Sequence, residues 1–154
     1  MGIVSERAGK NSAVSLQPIP SFGWVVLSAL AALFIWVIAV PVLGIALVVE
    51  FPGTPPQTVS PVSVAAAPLV AGLFAWALLG VSRHFLRSGV SVWRVLAAAV
   101  LVLSLYGPIV GGTTVAVTTT LSLMHLAVAG VLIVGLPRAG QRTAARKRRI
   151  GAGT

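Results

Sequence analysis

Hydroxyl and imidazole side chains lie within one long apolar stretch, residues 115–136, in which His125 is the single ionisable group. Thr118, Ser122 and His125 recur at steps of three or four residues, so on a helix they share one face. An imidazole with hydroxyls along its own stripe can relay protons or hold a polar ligand. In the alternative interpretation the imidazole donates a hydrogen bond to another span and helps to fix the helix packing. The residue types alone leave both interpretations open.

The remaining acidic and imidazole groups suggest weaker chemistry. Glu50 is the single acid beyond the first twenty residues. Small four-span exporters of drugs and cations need a carboxylate within the membrane, and Glu50 meets that need only if the first span extends to Val49 and folds inward. The simpler interpretation is an exposed loop acid. His84 is expected at a membrane edge beside Arg83. A haem site would need a deep axial ligand, and His125 is then the candidate. Ligation by two histidines would need a second copy of the chain.

Constellations that enzymes use are missing from the sequence. There is no cysteine among the 154 residues, which excludes disulfides, thiolate metal sites and thiol oxidoreductases. We find no phosphate-binding loop, no metal-ligand cluster, no nucleophile motif and no paired carboxylates. We therefore expect no enzymatic activity, no catalytic residues, no bound metal and no cofactor.

The elements that must position these side chains are predicted to be four membrane-spanning helices. The chain is 57 % hydrophobic and only 8 % charged, whereas soluble domains carry about 25 % charged residues. About 20 apolar residues are needed to cross the hydrocarbon layer of a bilayer. The predicted fold is an all-α four-helix transmembrane bundle, with spans at about residues 22–44, 62–82, 92–110 and 115–136.

Proline and glycine mark the predicted ends of these spans. Pro41 is expected to kink or end the first helix, because proline lacks a backbone donor and clashes with the preceding turn. Residues 50–61 are expected to form a proline-rich loop. Pro68 is a tolerated kink within the second span, and Gly107–Pro108 and Gly111–Gly112 are expected to break the third and give a short uncharged turn.

Two further patterns concern helix packing and the membrane surface. Small residues four apart in the second span allow another helix to approach closely; they are Ala67, Ala71 and Ala75, with Gly72 and Gly80 in a second series. Trp24 and Trp93 lie at the predicted inner ends of the first and third spans, where tryptophan suits the headgroup region.

The distribution of basic residues predicts the orientation in the membrane. The formal net charge is +9, and all eleven basic residues lie in residues 1–21, in the middle loop or in the tail. The positive-inside rule therefore predicts that both termini are cytoplasmic. Residues 1–21 are expected to form a disordered leader, and residues 138–154 a basic cytoplasmic tail.

The basic tail is a candidate contact with the lipid surface. A basic side chain near anionic headgroups contributes about 1 kcal/mol. No aromatic residues are interleaved for base stacking, so we expect no nucleic-acid partner. The candidate lipid-surface residues are Arg142, Arg146, Lys147, Arg148 and Arg149.

Three segments resemble a known family. They are residues 36–44 (WVIAVPVLG), 105–108 (LYGP) and 118–126 (TTTLSLMHL). The chain is similar over about residues 22–138 to a family of small four-span membrane proteins from high-GC Gram-positive bacteria, catalogued as a domain of unknown function. Its most specific part is the pair Met124 and His125. The resemblance implies four helices and a multi-pass protein of a bacterial plasma membrane, and it implies no activity.

The functional expectation follows from these points. We expect an integral membrane protein without enzymatic activity, acting as a structural or accessory partner of a membrane complex built from other subunits or from further copies of itself. The alternative is a small transporter or proton-coupled carrier that uses His125. A carrier needs an open path to His125, whereas a packing residue is sealed by its neighbours.

Overall fold

The chain folds as four long helices. The computed structural model describes residues 21–86 and 88–151, with side chains as far as residue 139. Each helix contains a stretch long and apolar enough to cross a membrane, which confirms the predicted all-α four-helix bundle and indicates a multi-pass membrane protein. The helices are α1 (Ser21–Val37), continued by the π-helical turn Ile38–Val42, α2 (Pro61–Phe85), α3 (Gly89–Gly111) and α4 (Val115–Gly151).

The helices pack as a ring in chain order. α1 lies against α2 and α4, and α3 lies against α4 and α2. The contact between α2 and α3 is the least extensive of the four neighbouring pairs. We call the end of the bundle that holds residues 43–60 and 112–114 the hairpin end, and the end that holds Leu86, Ser88 and the helix beyond residue 137 the basic end.

Pro41 ends the first helix by widening its last turn. The N–H of Leu43 donates to the carbonyl of Ile38 over 3.0 Å, and the N–H of Ile45 donates to Ala39 over 2.9 Å. These bonds span five and six residues because Pro41 has no N–H to offer the usual ladder. Gly44 then adopts a φ of 67°, which glycine tolerates without strain. The predicted break at Pro41 is confirmed, and the helical part ends at Val42.

A small β-hairpin covers one end of the bundle and was not predicted. β1 (Val48–Val49) pairs antiparallel with β2 (Gln57–Thr58), and Val49 also forms a bridge with Gly112. The indole Nε1 of Trp36 donates to the carbonyl of Val59 over 3.2 Å. The hairpin end is therefore tied to both α1 and the turn between α3 and α4.

Prolines within α2 and α3 are buried without ending either helix. Pro68 lies inside α2 as predicted. Pro108 lies inside α3 and does not end it; the helix continues to Gly111, next to Gly112, where the second of the two predicted breaks lies. Pro108 removes one donor from the ladder, and its own carbonyl still accepts the N–H of Gly112 over 3.1 Å. The helix therefore ends where glycine follows glycine.

The core divides into two clusters along the bundle axis. Towards the hairpin end it consists of Ala32, Leu47, Val64, Val117, Leu121 and Met124. Towards the basic end it consists of Val25, Leu79, Trp93, Leu132 and Leu136. Trp93 is 0 % exposed and its Nε1 donates to the carbonyl of Ala75 over 2.9 Å. The ring therefore packs between helices, whereas its expected depth in the headgroup region stays a prediction.

The fourth helix continues beyond the predicted span. Its membrane-spanning part is Val115–Ala139, close to the predicted residues 115–136, and the backbone stays helical to Gly151. The side chains of the predicted lipid-surface residues lie outside the described part of the structure; they are Arg142, Arg146, Lys147, Arg148 and Arg149. Residues 1–20 of the predicted leader (1–21) also lie outside the described residues, and Ser21 is the first residue of α1.

Candidate functional site

A groove of about 680 Å³ separates α2 from α3, and α4 forms its floor. It forms where two neighbouring helices of the ring make their least extensive contact. Ser63 and Ser104 line it towards the hairpin end, and Trp93 and Leu78 line it towards the basic end. The groove is therefore a concave feature that these helices leave open.

Small side chains create the width of the groove. Ala67, Ala71 and Ala75 form the wall contributed by α2, and Ala67 and Ala71 are exposed. Two alanines of the predicted helix-packing stripe thus face an open groove, whereas Ala75 also packs against the cluster that contains Trp93 of α3. The wall from α3 and the floor from α4 are mainly aliphatic; they include Ala97, Val100, Leu101, Leu121, Met124, Val128 and Leu132.

His125 is the ionisable side chain in this apolar lining. Its Nδ1 lies 2.7 Å from the carbonyl oxygen of Leu121, one turn earlier in the same helix. Since a carbonyl can only accept, Nδ1 carries the proton and donates it. A neutral imidazole then presents Nε2 as an acceptor. Among the described residues no hydrogen bond reaches Nε2, and the ring is half-buried.

The position of His125 can be compared with what the packing and carrier interpretations each expect. The packing interpretation expects His125 to bond to another span, and the structure shows the bond within α4. The ring is also not sealed, because it borders the groove. His125 therefore does not join two helices through a hydrogen bond between described residues.

The rest of the predicted polar stripe lies elsewhere. Thr118 and Ser122 are half-buried and neither lines the groove. Thr118 lies against Gly112, where an added Cβ would overlap its hydroxyl. The structure instead brings His125 together with two hydroxyls from other helices, Ser63 and Ser104.

These two serines were not singled out from the sequence. Ser104 Oγ donates to the carbonyl of Leu101 over 2.8 Å, and Ser63 Oγ donates to the carbonyl of Ser60 over 2.7 Å. Their positions relative to His125 depend on how three helices are rotated against one another. A serine within the otherwise apolar third span was the one signal that pointed to Ser104.

Glu50 lies at the hairpin end, outside the candidate spans. It is exposed, and its backbone N–H donates to the carbonyl of Gly111 over 2.9 Å. The exporter interpretation requires the first span to extend to Val49, whereas its helical part ends at Val42. That requirement is not met.

Arginine side chains occupy the other end of the bundle. Arg83 at the end of α2 donates from Nη2 to the carbonyl of Pro137 in α4 over 2.9 Å. Arg138 donates to the carbonyl of Val134 in its own helix, also over 2.9 Å. His84 is exposed, with its ring edge-on to Phe85 at 4.9 Å. The Arg83 bond joins α2 to α4, so this arginine has a packing role as well as a charge.

Within residues 21–86 and 88–151 no three His, Cys, Asp or Glu side chains come together. The concave site that these residues form is an apolar groove with one open ring nitrogen, which suits binding of an apolar molecule with a single polar group.

Comparison with known proteins gives a family for the chain. Residues 21–142 match the model of a family of unknown function, DUF6069. Since the match covers most of the 154 residues, the chain belongs to this family, and the expected membership of a family of unknown function is confirmed. No curated protein and no solved structure matches the chain.

Proposed function

We propose that this protein is a non-enzymatic accessory partner in a complex of a bacterial plasma membrane. The observation that carries the proposal is the outward face of α2, which points away from both α1 and the groove. Its five residues are all exposed; they are Ala66, Val70, Leu73, Ala77 and Gly80. Apart from the neighbouring turns of its own helix, no described atom lies within 4 Å of the position where a Cβ on Gly80 would be.

Gly72 and Gly80 in α2 differ in their surroundings, and a neighbouring side chain explains the glycine only at Gly72. A Cβ on Gly72 would lie 2.7 Å from Val25 Cγ1, so Gly72 allows α1 to approach. Glycine within a helix costs about 0.5–1 kcal/mol relative to alanine, and no described neighbour accounts for that cost at Gly80. Small residues at an outward face let a second helix pack closely. A transmembrane helix of a partner, either another protein or a second copy of this chain, accounts for Gly80.

Photocross-linking in native membranes tests this proposal. We expect a photoreactive amino acid at Ala77 or Gly80 to give protein adducts, because the partner helix lies against that face. The matched control is Val102 in α3, which is 69 % exposed and should give lipid adducts. If neither Ala77 nor Gly80 gave a protein adduct, the proposed partner at this face would be contradicted.

The proposed orientation has both termini in the cytoplasm. Arg83, Arg94 and Arg138 belong to the basic end, and the charged residue at the hairpin end is Glu50. This asymmetry follows the positive-inside rule. Reporter fusions at Gly89 are expected to report cytoplasm, and fusions at Thr54 or Gly112 to report the exterior. An exterior signal at Gly89 would reverse the orientation.

A proton-coupled carrier that uses His125 is the second candidate, and the open groove beside the ring favours it. The acceptor of His125 is a backbone carbonyl within its own helix, so neither His125→Asn nor His125→Leu leaves a partner stranded on another span. We expect both variants to keep the thermal stability of the parent protein in detergent. Proton-driven uptake into vesicles separates the candidates: the accessory role predicts no flux, and a carrier predicts a flux that both variants abolish.

A further inference from the structure

We propose that the groove between α2 and α3 binds a lipid-soluble molecule that carries one hydroxyl group. The hydroxyl donates a hydrogen bond to Nε2 of His125, and the apolar body lies along the alanines of α2. This inference goes beyond the accessory role, because it assigns a ligand to this chain alone.

The polarity of the ligand follows from the state of His125. Because Nδ1 is committed to the Leu121 carbonyl over 2.7 Å, the neutral ring offers an acceptor to the groove. A complementary ligand must therefore bring a donor. Ser63 and Ser104 already donate their hydroxyls to backbone carbonyls. The site thus distinguishes an alcohol or phenol from an ether or ketone of the same size.

The size of the groove favours a small molecule over a protein helix. A membrane-spanning helix 30 Å long and 10–12 Å wide occupies roughly 2,400–3,400 Å³. The groove holds about 680 Å³, which falls within the usual range of about 300–1,000 Å³ for small-molecule sites. A partner helix could cover the mouth of the groove, but it could not fill the groove.

The mouth of the groove determines the phase from which a ligand arrives. Phe74 and Val100 border it and are 73 % and 60 % exposed. Both belong to the candidate membrane-spanning helices, so the opening faces hydrocarbon. A ligand that partitions into the bilayer can therefore enter sideways between α2 and α3.

A matched pair of probes tests the hydrogen bond. The full chain is placed in nanodiscs of phosphatidylethanolamine and phosphatidylglycerol, and a photoreactive hexadecanol is compared with its methyl ether, which lacks the donor. We expect the alcohol to bind about fivefold more tightly than the ether, measured by labelling of groove residues, since one hydrogen bond contributes about 1 kcal/mol and about 1.4 kcal/mol is tenfold. His125→Phe keeps the ring volume and should reduce the alcohol to the affinity of the ether. Equal affinities for the alcohol in parent and variant would overturn the role of His125.

A second pair of variants tests the location. Ala71→Leu places a larger side chain in the groove and should weaken labelling by both probes at least tenfold. Ala99→Leu is the control, because Ala99 is exposed on α3 and does not line the groove. If Ala71→Leu left both probes unaffected, or if Ala99→Leu weakened them equally, the groove would not be the site. Labelling of groove residues by a partner protein instead of the alcohol would also overturn the proposal.

Discussion

Trp93→Ala is expected to lower the free energy of unfolding by about 3 kcal/mol, the low end of the range for tryptophan-to-alanine changes in protein cores. The low end applies because lipid is as apolar as the core, so most of the cost is lost packing. Trp93 is fully buried and belongs to the cluster of Val25, Leu79, Leu132 and Leu136. It also joins two helices, because Nε1 donates to the carbonyl of Ala75.

Two controls separate packing from the hydrogen bond. Trp76 in α2 is 50 % exposed, so Trp76→Ala removes the same atoms with an expected cost of about 0.5 kcal/mol. Trp93→Phe keeps most of the ring and loses the N–H donor, with an expected cost of about 1 kcal/mol. Unfolding in mixed micelles by increasing SDS, followed by circular dichroism, gives all three values. Equal costs for Trp93→Ala and Trp76→Ala would contradict the described packing of α3.

The four spans could be predicted because their signal is local. A run of about 20 apolar residues must cross the bilayer as a helix, since the backbone groups have no water to bond. Pro41 and Gly44 likewise act on their own turn, so the end of α1 was predicted closely. The hairpin was missed because β1 and β2 have two residues each. Strands that short show no alternation of apolar and polar residues. The hairpin is also held by contacts with Trp36 and Gly112, which lie elsewhere in the sequence.

The rotation of each helix about its axis could not be predicted. In a soluble helix the polar face marks the outside, but a membrane helix is apolar all round because lipid replaces water. Trp76 and Trp93 are the same residue type, yet one faces out and the other is buried. The groove could not be predicted for the same reason. Ser63, Ser104 and His125 line it together only because of how three helices are rotated against one another.

Gly135→Ala and Gly130→Ala are expected to change stability in opposite directions. Both glycines lie in α4. A Cβ on Gly135 would overlap the ring carbons of Trp24 in α1, whereas a Cβ on Gly130 meets nothing within 4 Å. Overpacking a tight contact costs about 1–3 kcal/mol, and alanine in place of an unhindered helical glycine contributes about 0.5–1 kcal/mol. We therefore expect Gly135→Ala to be destabilising and Gly130→Ala to be stabilising.

A double-mutant cycle with Trp24 shows whether the overlap is the cause. Trp24→Ala removes the ring on which the new methyl group would press, so adding Gly135→Ala to that variant should cost little or become favourable. The same cycle with Gly130→Ala should be additive within about 0.5 kcal/mol, because no described contact links Gly130 to Trp24. SDS unfolding of the single and double variants measures both coupling terms. If Gly135→Ala were as destabilising without the Trp24 ring as with it, overlap with that ring would not explain the cost. Gly135 would then not be the residue that allows α1 to approach α4 closely.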